Sequence, residues 1–510
     1  MLDWLDRFAK ARESPGEASI VAELESGLTL AGVTGVEDKL QPNVGETIES
    51  LRRAGIKVWM LTGDKLETAE NIGLATSLIT ATGMHRVVID WEVVQNVAIG
   101  QNRKSGEFSP GRSSPLKSDL PSDEFFEFLV KTRNDFTRII VEGGAVAVLV
   151  DGIGLECILS NQHYRLLFAE LTELCASVIC CRTSPEQKGS VVGLIRKHAQ
   201  KTCVAVGDGA NDCNMLQRAN IGIGIKGNEG MQAFNTCDYG IEEFQTLAPL
   251  LLVHGRWAYR RIAKSILYMY YKNIVICLPS YFINAVSALF SGQRLFEEYM
   301  YQLFNVAFTA LPVIVFGIFE QDLTWKDCLA YPHLYRIGPA RGHATKRAFA
   351  AWLLCGLWHS VCVFFIPFYS LASTMANEDG IPSDLFLLGA VVYLALMLVV
   401  NAKILLESYY VNYLFVGSIA VSVAAWFAAI NLIEVIPLSN GTMLAPYLAG
   451  VPARMYESPM RFFIAFAAIV ASLSRDFIFK AFRLKFSPRD YHSVMRKTNN
   501  APENIVDAEK

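Results

Sequence analysis

The C-terminal half of this chain carries six apolar stretches in succession, and nothing else in the sequence limits its fold as strongly. They run over about Ile266–Phe290, Tyr299–Phe319, Ala348–Ser370, Leu385–Val400, Tyr410–Leu432 and Phe462–Ser474. A bilayer core about 30 Å thick takes roughly 20 residues of helix. The first, second, third and fifth stretches meet that length, whereas the fourth and sixth need their flanks to complete a crossing. Any one of them alone could be a buried helix of a soluble protein. Six in a row predict an α-helical transmembrane bundle of about six spans over 262–480, with a tail over 481–510. Lys272 and Asn273 fall inside the first span. A charge at bilayer depth costs about 2.5–3.5 kcal/mol or more, which makes an intramembrane lysine a functional candidate. Snorkelling is the alternative, because Lys272 lies only about two turns from the end of its span.

Lysine and arginine counts in the short loops set the expected orientation. The loop after the second stretch carries Lys326, Arg336, Arg341, Lys346 and Arg347, and the tail carries Arg475, Lys480, Arg483, Lys485 and Arg489. The alternate loops hold Arg294 alone, then none between Leu371 and Asp384, then Arg454 and Arg461. Both ends of the chain are therefore expected in the cytosol, and the sequon at Asn440 on the exoplasmic side, where glycosylation is open.

Residues 1–261 read differently. Short apolar segments (Lys57–Leu61, Ala145–Val150, Val178–Cys181, Cys203–Val206, Ile221–Ile225) alternate with helical stretches, the pattern of a parallel sheet with crossover helices. Gln101–Glu124 is rich in Ser, Pro and charge and is expected to be a disordered, solvated insertion. The first twenty residues mix charged and apolar side chains without an h-region, so no cleaved signal peptide is expected. A net charge of -3 argues against nucleic acid as a partner. The 11 cysteines form no C-x-x-C pair and are read as reduced thiols.

Three motifs follow strands in this part. Gly207-Asp208-Gly209-Ala210-Asn211-Asp212 succeeds the strand ending at Val206 and opens a helical run over Cys213–Ala219. Strand carboxyl ends are where ligands bind in parallel sheets, and Asp208 and Asp212 can meet one hard cation such as Mg2+, which takes oxygen ligands. Thr62-Gly63-Asp64-Lys65 sits between a strand and a helix over Leu66–Leu78. Its hydroxyl and N–H groups suit a phosphate, although Asp64 could be no more than an N-cap. Pro185-Glu186-Gln187-Lys188 puts Lys188 in the first turn of a helix, against the helix dipole; an anionic partner or an ordinary surface lysine would both explain it.

A hydroxyl turn, a lysine and a two-carboxylate loop, in that order, resemble the site of haloacid-dehalogenase-like phosphotransferases. The longer segments VEDKLQPNVGETIESLRRAGIKVWMLTGDKLETAENIG, VICCRTSPEQKGSVV and AVGDGANDCNMLQRANIGIGIKGNEGMQA resemble the phosphorylation domain of P-type ATPases. VEDKLQ, CRTSPEQK and IGIKGNEG are similar to the type IV branch, the lipid flippases, and YYKNIV with LFSGQRLFEEYMYQLFNVAFTALPVIVFGIFEQD extends the likeness into the membrane. The resemblance implies the C-terminal half of an enzyme that uses ATP and Mg2+ to move phospholipid from the exoplasmic to the cytosolic leaflet. Residues 1–261 would be a partial, haloacid-dehalogenase-like α/β phosphorylation domain. It further implies that Thr62, Gly63 and Asp64 line the phosphate side, that Lys188 neutralises phosphoryl oxygens, and that Arg182 lies near the nucleotide. Asp208 and Asp212 would hold the metal, with Asn211 and Asp212 closing the site. Lys272, Asn273 and Asn305, in a span that Pro312 bends, would line the lipid path. A small, glycosylated two-span β-subunit is the implied partner, in the plasma membrane or an endomembrane.

The likeness stops at one point. P-type ATPases phosphorylate the Asp of D-K-T-G-T, and these 510 residues contain no such sequence: Asp64-Lys65 continues Leu-Glu-Thr, and Asp38-Lys39 continues Leu-Gln. The chain as it stands is therefore expected to be inactive alone, with the N-terminal half supplied elsewhere, for instance by a second chain. A non-catalytic scaffold or regulatory pseudoenzyme is the alternative. A membrane-tethered phosphatase fits less well, because a D-x-D nucleophile strand is missing too.

Overall fold

The computed structural model describes Trp4, Gly32 and residues 40–500, apart from 81, 91, 95–121, 199, 228–229, 288–289, 374–383 and 438–443. Most of the expected insertion over 101–124, and Asn440 of the sequon, lie outside the described residues. Met1–Pro42 and Asn43–Lys510 form two separate compact units; the elements below belong to the second.

Strands form where β-branched and small apolar residues cluster: β1 (Val58–Leu61), β2 (Met84–Ile89), β3 (Ala145–Val150), β4 (Ser177–Cys180), β5 (Val204–Gly207), β6 (Ile221–Ile225) and β7 (Tyr239–Ile241). Between them run α1 (Val44–Arg53), α2 (Leu66–Ala75), α3 (Ser122–Val141), α4 (Gly152–Ser160), α5 (Gln162–Leu174), α6 (Pro185–His198) and α7 (Cys213–Arg218). All pairings are parallel. The single expected sheet is, however, two: β1-β4-β3-β2 and β5-β6-β7. Strands β2 and β7 add to the five expected. The expected insertion ends early as well, since Ser122–Glu124 already belong to α3.

The period of two in β3 (AVAVLV) builds the layers. Val146, Val148 and Val150 join Val178 and Cys180 under α3–α6, while Ala147 and Leu149 join Ile179 on the side of α1 and α2. β4 is buried throughout, whereas all four residues of β1 are only half-buried. Among the described residues, strand β1 pairs with β4 alone, and β5 with β6 alone. The two open edges nevertheless share apolar clusters: Val58 packs in one with Ile223 and Val206, and Leu61 in another with Ala205.

Among the described residues the apolar half forms six helical segments long and apolar enough to cross a membrane. They contain α8 (Arg256–Val286); α9 (Glu298–Leu303) and α10 (Ala310–Phe319), separated by a π-helical turn at Phe304–Phe308; α11 (Lys346–Ser373); α12 (Leu385–Glu407); α13 (Tyr413–Val435); and α14 (Pro459–Phe486). A final helix, α15 (Asp490–Asn500), follows. The fourth and sixth spans reach full length through their charged ends, Asn401–Glu407 and Arg475–Phe486. Helix α12 is the innermost, buried from Leu387 to Val400 except at Leu398. At Gly389 it approaches the Leu295 carbonyl so closely that a Cβ would lie 2.2 Å from that oxygen. A chain of charges ties four helices together. Lys264 of α8 pairs with Glu407 of α12; Glu407 pairs with Lys403 at 3.1 Å, and Lys403 with Asp476 of α14 at 2.8 Å. Asp476 in turn lies 3.3 Å from His359 of α11.

Candidate functional site

The first motif is a turn locked onto its neighbour. Thr62 continues the β1 ladder, its N–H donating to the Cys180 carbonyl at 2.8 Å. Its hydroxyl donates to Asp64 Oδ2 at 2.6 Å and accepts from the Asp64 N–H at 3.1 Å. Thr183, which follows β4, donates to the Thr62 carbonyl through both its N–H (3.0 Å) and its hydroxyl (2.9 Å), and the Arg182 N–H donates to the Asp64 carbonyl at 2.9 Å. Asp64 is not the helix cap: Lys65 holds the N-cap position of α2, and no side chain caps it. The Asp64 carboxylate is committed instead to the Thr62 turn. Arg182 adopts a left-handed backbone (φ 50°), opposite Gly152, where a Cβ would stand 2.3 Å from the Arg182 carbonyl oxygen.

Lys188 is aimed by a reciprocal cap. Ser184 Oγ accepts from the Gln187 N–H at 3.3 Å while Gln187 Oε1 accepts from the Ser184 N–H at 2.9 Å. Gln187 Nε2 also donates to the Gly152 carbonyl at 2.9 Å, which fastens the start of α6 to the first sheet. From the first turn of α6, Lys188 Nζ reaches Asp212 Oδ1 at 2.9 Å, both side chains being 12% exposed. This contact answers the question the dipole raised: the partner is a carboxylate 24 residues away.

Asp212 closes a 3-10 turn (Ala210–Asp212) at the carboxyl end of β5. The glycines of the loop have different jobs. Neither has a positive φ. Gly207 is required by proximity, since a Cβ would lie 2.5 Å from Asp212 Cβ, whereas a Cβ on Gly209 would meet nothing nearer than 3.9 Å. Asp208 and Asn211 are exposed, and neither side chain has a partner among the described residues. The donor set suits Mg2+: one unshared carboxylate, and a second, Asp212, whose Oδ1 is held by Lys188 and whose Oδ2 lies over Gly207. Lys188 thus joins the start of α6 to the turn after β5, while the Thr62–Asp64 turn after β1 is joined to Arg182 and Thr183 after β4. Beneath them burial pushes the Cys180 thiol up to about 12 and the Cys181 thiol to about 11.

In the membrane half Lys272 does not snorkel. It is 3% exposed, and its Nζ donates to Thr309 Oγ1 at 3.0 Å; that hydroxyl donates to the Phe304 carbonyl at 2.7 Å. Asn273 and Asn305 are both exposed, with Asn305 inside the π turn, and among the described residues neither side chain bonds to Lys272. Sequence reasoning missed Thr183, Thr309 and Asn401; an asparagine in the apolar run of α12 was the available signal for the last. Cys355, His359 and Asp476 have metal-ligand spacing, but Lys403 already neutralises Asp476, and the group is a charge-balanced network.

Residues 234–489 match the family described as "Phospholipid-translocating P-type ATPase C-terminal". Phospholipid-transporting ATPase 10 of Arabidopsis thaliana is 36% identical over 496 residues, covering 96% of this chain and 40% of that protein. Probable phospholipid-transporting ATPase 12 of the same plant is 35% identical, covering 93% of this chain and 39% of that protein. A phospholipid-transporting ATPase of Schizosaccharomyces pombe is 34% identical, covering 92% and 35%. The chain thus spans about two fifths of the length of the curated relatives it matches.

Proposed function

The chain belongs to the phospholipid-translocating P-type ATPases, and we propose on that footing that it is the C-terminal part of an ATP-driven flippase carrying phospholipid from the exoplasmic to the cytosolic leaflet. The observation that carries this reading is the convergence of Lys188 and Asp212 at 2.9 Å beside the unshared Asp208 carboxylate. A scaffold has no need of that set, which disfavours a pseudoenzyme.

Residues 1–261 then form a partial haloacid-dehalogenase-like phosphorylation domain, 262–480 the membrane domain, and 481–510 a cytosolic tail. The open edges of β1 and β5 support this division. A strand inserted between them would join the two sheets and place its carboxyl end among Thr62, Lys188 and Asp208. The phosphorylated aspartate would ride on it, contributed by sequence outside these 510 residues or by a second chain. Asp208 and Asp212 would hold Mg2+, which would supply charge neutralisation at phosphoryl oxygens. Lys188 adds a fixed ammonium, Asn211 and Arg182 border the nucleotide, and Thr62 with Gly63 offers donors to phosphate. Catalysis of this kind is positioning plus electrostatics. Lys272, with Asn273 and Asn305, borders the lipid path. A two-span glycosylated β-subunit is the expected partner, in the plasma membrane or an endomembrane.

Both ends of the chain are proposed to be cytosolic. In support, a cavity of about 230 Å3 at one end of the bundle is lined by Arg260, Lys264, Arg475, Lys480 and Arg483, the charge expected of a cytosolic face. The test uses the full-length flippase reconstituted in vesicles. Asp208→Asn and Lys188→Ala abolish lipid-stimulated ATP hydrolysis, whereas Lys272→Ala spares aspartyl-phosphate formation and impairs lipid uptake. Full hydrolysis by the Asp208 variant would end this assignment.

A further inference from the structure

The second membrane segment is broken between Phe304 and Thr309, and the chain itself says why. An α-helix would pair the Phe308 carbonyl with the N–H of residue 312, but residue 312 is proline. Thr309 leaves helical geometry (φ −136°, ψ −6°), and carbonyls of the segment take side-chain donors. The Phe304 carbonyl finds one in the Thr309 hydroxyl of the segment itself, and the Phe308 and Met300 carbonyls find theirs on α12. Lys272 of α8 reaches Thr309 Oγ1, which donates to the Phe304 carbonyl. On the other side, Asn401 of α12 donates from Nδ2 to the Phe308 carbonyl at 3.4 Å. Helix α12 braces the same segment further along, where the Tyr393 hydroxyl donates to the Met300 carbonyl at 2.8 Å.

Asn401 is 1% exposed, and its Oδ1 has no hydrogen-bond partner among the described residues. An amide buried with its acceptor unmatched is a poor choice for stability alone, and polar groups held at such depth mark functional sites. We propose that Asn401 is a positioning residue of the lipid path: it supplies the donor that Pro312 removes and holds the break beside Lys272 open. The role in the lipid path rests on the flippase reading; the contact does not.

A thermodynamic cycle in the full-length flippase tests it, with Asn401→Leu, Pro312→Ala and the double variant; Asn401→Ala serves where the leucine variant does not accumulate. Asn401→Leu strands the Phe308 carbonyl and lowers the thermal midpoint. With alanine at 312 an N–H returns to that carbonyl, and the same Asn401 change no longer lowers the midpoint. Uptake of a fluorescent phospholipid falls about tenfold, the ratio one net hydrogen bond of ordinary strength commands, in every variant, including those of restored stability. Aspartyl-phosphate formation stays at its starting level. Equal midpoint losses in both backgrounds would overturn the contact. A coupled midpoint with full uptake would overturn the role in the path. If the unaltered protein moves no phospholipid, the flippase reading fails, and the midpoint cycle still decides the contact.

Discussion

Adding one methyl group at Gly207 separates the two glycines of the GDG loop. The new Cβ would stand 2.5 Å from Asp212 Cβ and 2.8 Å from its Oδ2, nearly 1 Å inside an ordinary carbon–carbon contact. Asp212 must yield, because Gly207 is the last residue of a paired strand, with Gly224 opposite. Overpacking of this kind costs about 1–3 kcal/mol. The larger effect is on geometry: a shift of about 1 Å breaks the 2.9 Å bond to Lys188, and misplacement by that much lowers catalysis about 100-fold. Gly209→Ala is the control, since its Cβ meets nothing within 3.9 Å. In the full-length flippase, lipid-stimulated ATP hydrolysis falls about 100-fold for Gly207→Ala and only a few-fold for Gly209→Ala. Equal losses in the two variants, or a Gly207→Ala enzyme of ordinary activity, would refute the reasoning.

Burial pushes His343 down to about 3, helped by Arg260, Lys264 and Arg489 and opposed by Asp322. An unfolded chain takes up that proton near pH 6.5 and the folded one does not, so stability is present above pH 6.5 and is lost on acidification. At pH 5 the loss is about 2 kcal/mol, visible as a lower thermal midpoint than at pH 7 and diminished in His343→Gln. Raised thiol pKa values at Cys180 and Cys181 keep both from alkylation at pH 7 in the folded protein, and denaturant makes both react; mass spectrometry of the labelled peptides reads the difference. An antibody against the tail Lys497–Lys510 detects a band far above 56.6 kDa if these residues belong to a single long polypeptide. A band near that mass directs the search to a second chain carrying D-K-T-G-T.

What the sequence disclosed follows from how local each signal is. Six spans were legible because an apolar run of about 20 residues has few other uses, and β3 because AVAVLV is buried on both faces. Strand β2 was not, since its His85 and Arg86 are exposed at a sheet edge and read as loop. The apolar stretch of the fourth span stops at Val400, one residue short of Asn401, because polar side chains that find partners across a bundle look like helix ends in a one-dimensional profile. The pairing of Lys188 with Asp212 was invisible for a related reason. Each motif could be placed after a strand, but β4 and β5 lie in different sheets, and only the packing of α6 against the Ala210–Asp212 turn brings Lys188 to Asp212. The division of labour between Gly207 and Gly209 is a matter of a few ångströms, beyond any pattern of letters.

The helical run Phe244–Val286 is continuous over 43 residues, some 65 Å at 1.5 Å per residue. Leu247 and Leu252 anchor one end in the cluster beneath β6, and Lys272 sits 20 residues, or about 30 Å, further on. Such a rod is a lever with unequal stakes at its two ends. A tilt of about 5° at the sheet, of little consequence to packing there, sweeps Lys272 through some 2–3 Å over that length, as much as the 3.0 Å bond to Thr309 can tolerate. The π-helical turn at Pro249–Gly255 is where such a rod can give, so its stiffness sets how faithfully a rotation outside the bilayer is reported within it.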